Sequence, residues 1–172
     1  MDEPEQAAAF DALAALADPA MVVVTVAHGD ERAGCLVGFH GQSSIDPRRY
    51  AVWLSKANRT HRVALRATHL AVHLLVTGDH EIAERFGGET GDEVDKFAGV
   101  AWRPGPGGVP LLDACPRRMV LARSTLLDEG GDHVLVVGEP VAAWAPDTAG
   151  QRPFRLGTAR DIAPGHPPGD RP

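Results

Sequence analysis

The chain has 172 residues, 44% of them hydrophobic and 23% charged, with a formal net charge of −6. That length supports one domain with a real core, and Lys and Arg are spread along the chain instead of forming the basic stripe that nucleic acid requires. The N-terminus MDEPEQAAAF carries acids where a secretory signal carries positive charge, and no apolar run approaches bilayer-spanning length, so a cytoplasmic protein without membrane partners is expected.

Residues 4–17, PEQAAAFDALAALA, place Pro4 in a first helical turn and Phe10, Leu13 and Leu16 at three-residue spacing, with Pro19 closing the segment. This predicts a helix over 1–17 that caps a domain starting at residue 18. MVVVTVAH is short and β-branched, Gly29 and Asp30 make a turn, and RAGCLVGF returns as the second strand of a hairpin. The stretch GFHGQSS reads as a Gly- and Ser-rich turn, followed by a strand, YAVWLS, at 50–55.

THRVALRA at 60–67 reads as a short helix, LAVHLLV at 70–76 as a strand, and HEIAERFGG as an amphipathic helix ending at glycines. From Gly88 to Ala114 the Pro and Gly content forbids long regular elements, and the length suggests a lid or lip over a site. Residues 117–144 form the clearest hairpin, turning at Asp128 to Asp132. About six hairpin-connected strands with short flanking helices predict a mainly β fold, a closed or nearly closed antiparallel barrel over 18–145. Beyond Pro146 lies a Pro-rich extension, in which RPFRLGTARDI is expected along the body and APGHPPGDRP is expected to be mobile.

Two donor clusters flank the strand at 50–55. The first offers glycines whose backbone N–H groups can face a phosphate, followed by Ser43 and Ser44; the second offers Ser55, Lys56, Asn58, Arg59 and Arg62, with Thr60 as the expected cap of the following helix. Either cluster alone is equally compatible with a solvated loop. His69 and His73 in HLAVH would meet only on a helix, and this stretch reads as β, so no metal site is expected. Cys35 and Cys115 form no CxxC pair and read as buried small residues. His133 stands at a strand mouth after a tight turn, where a ligand contact and a solvated side chain are balanced readings. Nucleophile-elbow, Walker and GxGxxG patterns are all missing from the sequence.

The ordered series MVVVTVAHGDERAG, SSIDPRRYAVWLSKANRTHRVAL, LAVHLL, IAERFGG, DKFAGVAWRPGPGGVPLLDA and GDHVLVVGEPV resembles the flavin reductase family over roughly residues 18–145. The resemblance implies the FMN-binding split barrel, a Greek-key β fold, as a homodimer with flavin near the subunit interface. It further implies reduction of FMN, or FAD, by NADH or NADPH, with hydride passing from the nicotinamide C4 to the flavin N5 and reduced flavin passing to a partner monooxygenase.

By position, the segment 36–44, with Val37, Gly38, Phe39, Ser43 and Ser44, resembles the part that meets the ring and ribityl chain. Ser55, Asn58, Arg59 and Thr60 resemble the phosphate end, with Lys56 in the same cluster. Lys96 and Phe97, and Asp132 and His133, match segments that approach the ring or the nicotinamide, which makes His133 the candidate catalytic residue. Where the family shows Thr, then Ser or Asn, then Ser, this chain has Leu36, Gly38 and Phe39; it also has Arg48 in place of a second Pro. Those departures leave other readings open: a flavin or deazaflavin binder without turnover, a split barrel holding another cofactor such as haem, or a partner subunit whose site has decayed.

Overall fold

The computed structural model describes residues 2–165. Helix α1, Glu3–Ala17, starts at a reciprocal cap between Asp2 and Glu5 and stops at Asp18, whose φ of 38° precedes Pro19. It forms where the sequence predicts, but it does not lie on the body as a cap. No residue of α1 is buried, and Phe10, Leu13 and Leu16 are 71%, 68% and 81% exposed.

Strands β1 (Val22–His28) and β2 (Glu31–Val37) make the first hairpin. Strands β3 (His40–Ser44) and β4 (Arg49–Ser55) make the second. Helix α2 (Arg59–Ala64) leads to β5 (His69–Leu74), and α3 (His80–Gly87) follows. A small hairpin of β6 (Trp102–Pro104) and β7 (Pro110–Leu112) precedes the long pair β8 (Arg118–Asp128) and β9 (His133–Trp144).

The main sheet is antiparallel throughout, in the order β2-β1-β5-β8-β9-β4-β3. Its two outermost strands, β2 and β3, are consecutive in the chain, with Gly38 and Phe39 alone between them. The Phe39 carbonyl accepts from the Trp53 N–H at 2.9 Å, so one continuous segment leaves the β1 side of the sheet and joins its β4 side. The barrel closes at this corner. Away from it β2 and β4 part, and α2 fills the gap, packing Val63 and Ala64 against Val24, Val26, Cys35, Val52 and Leu54. The result is a split β-barrel, as the sequence predicts.

Two expectations need correction. The segment read as a turn, GFHGQSS, is a corner followed by strand β3; its polar composition is tolerated because β3 pairs on one side only, with β4. The segment 88–114 also contains a hairpin, β6–β7, with Val109, Leu111 and Leu112 buried. Gly107 in its turn has φ 68°, and a Cβ there would sit 2.3 Å from His69 Nδ1, so the close approach to β5 requires glycine.

A second apolar cluster lies outside the barrel, built from Met21, Val23, Leu75, Ala83, Phe86, Phe97, Leu112, Phe154 and Ala159. The C-terminal segment docks onto it: the Met21 N–H donates to the Phe154 carbonyl at 2.7 Å, and the Phe154 N–H to Leu75 at 3.0 Å. Of the stretch 163–172 expected to be mobile, Gly165 is tied to the Gly87 carbonyl at 3.0 Å, and residues 166–172 lie outside the described residues. Among the described residues no helix is long and apolar enough to cross a membrane.

Candidate functional site

The corner that closes the barrel also forms the wall of a cavity of about 530 Å³. Val37, Gly38 and Phe39 line one side, Trp53 and Ser55 at the end of β4 another, and Phe86 and Gly87 of α3 face them. Leu156, Ala159 and Ile162 of the docked C-terminal segment complete it. The interior is mostly apolar, with polar groups at Ser55, Asn58, Asp132 and His133. A concave apolar space with a few convergent polar groups has the form of a site for a flat ring system.

His133 reaches the rim because β9 pairs with β4 in a register that sets it opposite Ser55. Its ring lies 5.2 Å from that of Phe39, tilted by 58°. Nδ1 is 2.7 Å from Asp132 Oδ1. A carboxylate only accepts, so Nδ1 carries the proton and Nε2 is left as an acceptor. The imidazole in turn holds the Asp132 carboxyl below the ordinary aspartate range.

A second cavity, of about 360 Å³, opens on the other side of Asn58. Asn58, Arg59 and Thr60 line it together with Arg32, Lys96 and Phe97, and acidic residues from 30–31 and 92–95 surround it. Asn58 lines both cavities, and among the described residues its side chain makes no hydrogen bond. It is therefore the free amide at the junction.

Most of the predicted residues come together: Val37, Gly38, Phe39, Ser55 and His133 at the first cavity, Arg59, Thr60 and Phe97 at the second, and Asn58 at both. Thr60 is not the helix cap; Asn58 holds that position. Thr60 instead is 1% exposed, with its hydroxyl hydrogen-bonded to the Cys35 thiol. Burial pushes that thiol's pKa up. Phe97 is 5% exposed and packs edge-on to Phe86, so much of its surface is core.

Ser43 and Ser44 are not brought to either cavity. Ser44 pairs with Arg49, at the opposite end of β4 from Ser55, about 20 Å away at strand rise. Lys56 also turns aside, to an ion pair with Asp128 at 2.8 Å, while its N–H donates to the Asp132 carbonyl at 2.9 Å. It thereby anchors the turn that carries His133. Leu36, in place of a family hydroxyl, packs on α3: a Cβ at Gly87 would meet its Cδ2 at 2.8 Å.

Sequence reasoning missed Met21, Trp53, Phe86 and the C-terminal residues of the first cavity, and Arg32 of the second; Lys96 it named beside Phe97, for the ring or the nicotinamide. Phe86 had a signal, the apolar stripe of α3. The others are contributed by elements distant in sequence.

Comparison with known proteins agrees with this fold. The family model for the flavin reductase like domain matches residues 13–160. The chain belongs to this family. An NADH:riboflavin 5'-phosphate oxidoreductase of Streptomyces pristinaespiralis is 30% identical over 153 residues, covering 88% of this chain and 84% of that protein. The flavin-dependent monooxygenase reductase subunit HsaB of Mycobacterium tuberculosis is 27% identical, covering 69% of this chain and 61% of the subunit. The chain spans less than two thirds of the length of several curated relatives, 38% in one case. Among solved structures, an FMN-binding protein from Thermus thermophilus superposes with a TM-score of 0.68 at 27% identity, covering 74% of this chain and 70% of that one. The family's split barrel is thus the fold seen here.

Proposed function

We propose that this member of the flavin reductase family is an NAD(P)H-dependent reductase of FMN, with FAD as a second substrate. The observation that carries the reading is the pair of cavities joined at Asn58: an apolar one sized for a ring, continuing into one that bears cationic side chains. The donor set fits the group. Phe39, Trp53, Met21 and Phe86 offer flat apolar surface, and Ser55 and Asn58 offer hydrogen bonds along the path. A bound flavin supplies the hydride acceptor, and the nicotinamide the hydride. The chain's own residues position and exclude water: the apolar walls shield the reacting faces, and His133 Nε2 at the rim accepts from an N–H donor on the nicotinamide.

The protein is also read as a homodimer. In register, Trp53, Leu135 and Leu127 form one row across β4, β9 and β8 on the face opposite the buried Leu54, Val134 and Val136. These strands are apolar on both faces, which supports a second copy covering the outer one beside the cavity that contains Trp53. A partner monooxygenase fits the name of the mycobacterial relative. A second reading, flavin or deazaflavin binding without turnover, is favoured by the corner itself, where Leu36, Gly38 and Phe39 present no hydroxyl.

The test is the visible spectrum of the protein with added FMN, followed by anaerobic NADH or NADPH. The expected result is flavin bands that bleach catalytically, slowed about tenfold to a hundredfold in His133→Asn with a melting temperature within about 2 °C of wild type. Bound flavin that never bleaches would favour the second reading; absence of flavin binding would sink both.

A further inference from the structure

Helix α1 is 15 residues long and buries none of them. A helix of that length standing alone is marginal in water, because most helical stability comes from packing an apolar face. The exposed stripe of Phe10, Leu13 and Leu16 is therefore a surface that another surface must cover. The body of the protomer does not cover it, and the direction in which α1 leaves is fixed. Asp18, at φ 38° and ψ 62°, accepts twice from the C-terminal segment: its carbonyl from the Arg155 guanidinium at 2.8 Å and its carboxylate from the Gly157 N–H at 2.7 Å. Pro19 follows and stiffens the exit. The protomer thus grips the base of α1 and presents the rest, about 22 Å of helix, to another molecule.

Charge indicates which molecule. Residues 1–18 contain five carboxylates and no Lys or Arg, whereas residues 148–160 contain three arginines and no carboxylate. Arg152 and Arg160 are exposed, and among the described residues their guanidinium groups make no hydrogen bond or ion pair. Leu156, between them, is 39% exposed. An acidic helix with an apolar stripe and a cationic segment with an apolar centre are complementary, and one chain carries both. In a two-fold pair each helix can lie on the other copy's segment, so that both contacts form at once. An anionic lipid surface would instead repel so acidic a helix. The receiving segment also supplies Leu156 and Ala159 to the wall of the ring cavity, and Trp53, on the sheet face read above as the dimer surface, lines that same cavity. The two surfaces therefore adjoin.

We propose that α1 is an arm that docks on residues 152–160 of a second copy of this chain and so covers the outer wall of that copy's ring cavity. The proposal rests on the homodimer reading given above and adds the element that joins the copies.

The experiment is sedimentation velocity across a range of protein concentrations. Wild type is expected to dimerise, and Phe10→Gln with Leu13→Gln to raise the dimer Kd at least tenfold. Two charge reversals locate the contact: Glu3→Arg with Asp11→Arg on the helix, and Arg152→Glu with Arg160→Glu on the segment. Each doubly substituted protein alone is expected to dimerise at least tenfold more weakly than wild type, whereas their equimolar mixture forms a heterodimer within about threefold of wild-type affinity. A dimer Kd unchanged by Phe10→Gln with Leu13→Gln overturns the proposal and leaves the homodimer reading standing. A mixture no tighter than its components means that the helix lands elsewhere or on another protein, which also overturns it. Should wild type stay monomeric, the homodimer reading has failed, and the proposal falls with it. Should a variant lose its helix, hydrogen exchange of wild type decides: amides of 3–17 and 152–160 must gain protection together as the dimer forms, and exchange that does not change in either segment refutes the docking.

Discussion

The two cavities meet at one asparagine yet are held together by different forces. The first is backed by close-packed apolar side chains, with Phe86 1% exposed behind it and Phe154, from the far end of the chain, 3% exposed. The second is strapped by ion pairs whose members are a third to a half exposed, such as Arg62 with Asp92, each 48%. Even their buried titratable groups contrast. His73, whose partners Val23 and Leu112 belong to the same apolar cluster as Phe86, is fully satisfied: Nδ1–H donates to the Val23 carbonyl at 3.1 Å, and Nε2 accepts from the Leu112 N–H at 3.1 Å. Lys96, at the second, has one partner. Packing makes the ring side rigid, and unspent charge makes the other side receptive.

The contrast predicts where substitutions hurt. Phe86→Ala should cost about 3–5 kcal/mol in chemical denaturation, because the floor of the apolar cavity and its edge-on contact with Phe97 go together. A cost under about 1 kcal/mol would mean that this side is loosely packed, and the comparison would fail.

Next in size is an acid effect centred on His73. Burial lowers its pKa from 6.5 to about 4. Between those values the unfolded chain takes up a proton that the folded one refuses, so stability should fall as pH drops from 6.5 towards 4 and level off below. The gap corresponds to about 3 kcal/mol as an upper bound. Denaturation midpoints across that range measure it, and imidazole 15N shifts of His73 should stay those of a neutral ring until near pH 4.

The smallest effect belongs to the strap. Asp92→Asn removes a half-exposed ion pair and should cost about 0.2–1 kcal/mol, a difference that about 1 M NaCl erases. A larger, salt-resistant loss would show that the loop 90–97 is held by packing, like the other side.

Much of this was legible in the sequence. The β-branched runs of β1 and β9, the Asp128–Asp132 turn and the amphipathic α3 follow local rules of period and turn chemistry, and they form as those rules predict. The clustering of Ser55, Asn58, Arg59 and Thr60 is also local, since they stand where a strand runs into a helix. β3 escaped because an edge strand needs neither alternation nor apolar residues; its pairing comes from β4. Helix α1 shows the reverse, a helix that its cap and alanines suffice to specify, while nothing local says what its apolar stripe covers.

The sequence by itself determined the family, the barrel and the polar neighbourhood of the site, because these depend on residue order, periodicity and turns. Only the tertiary structure decided which residues share a cavity. Strand register sets His133 opposite Ser55 and carries Ser44 to the far end of β4. The docking of residues 153–162 supplies a wall from the far end of the chain. Lys96 is left buried with the Phe86 carbonyl as its one acceptor, while Arg32, Arg59 and Arg62 are paired with carboxylates. Such pairings depend on distances across the fold, and those distances are fixed when separate elements pack together.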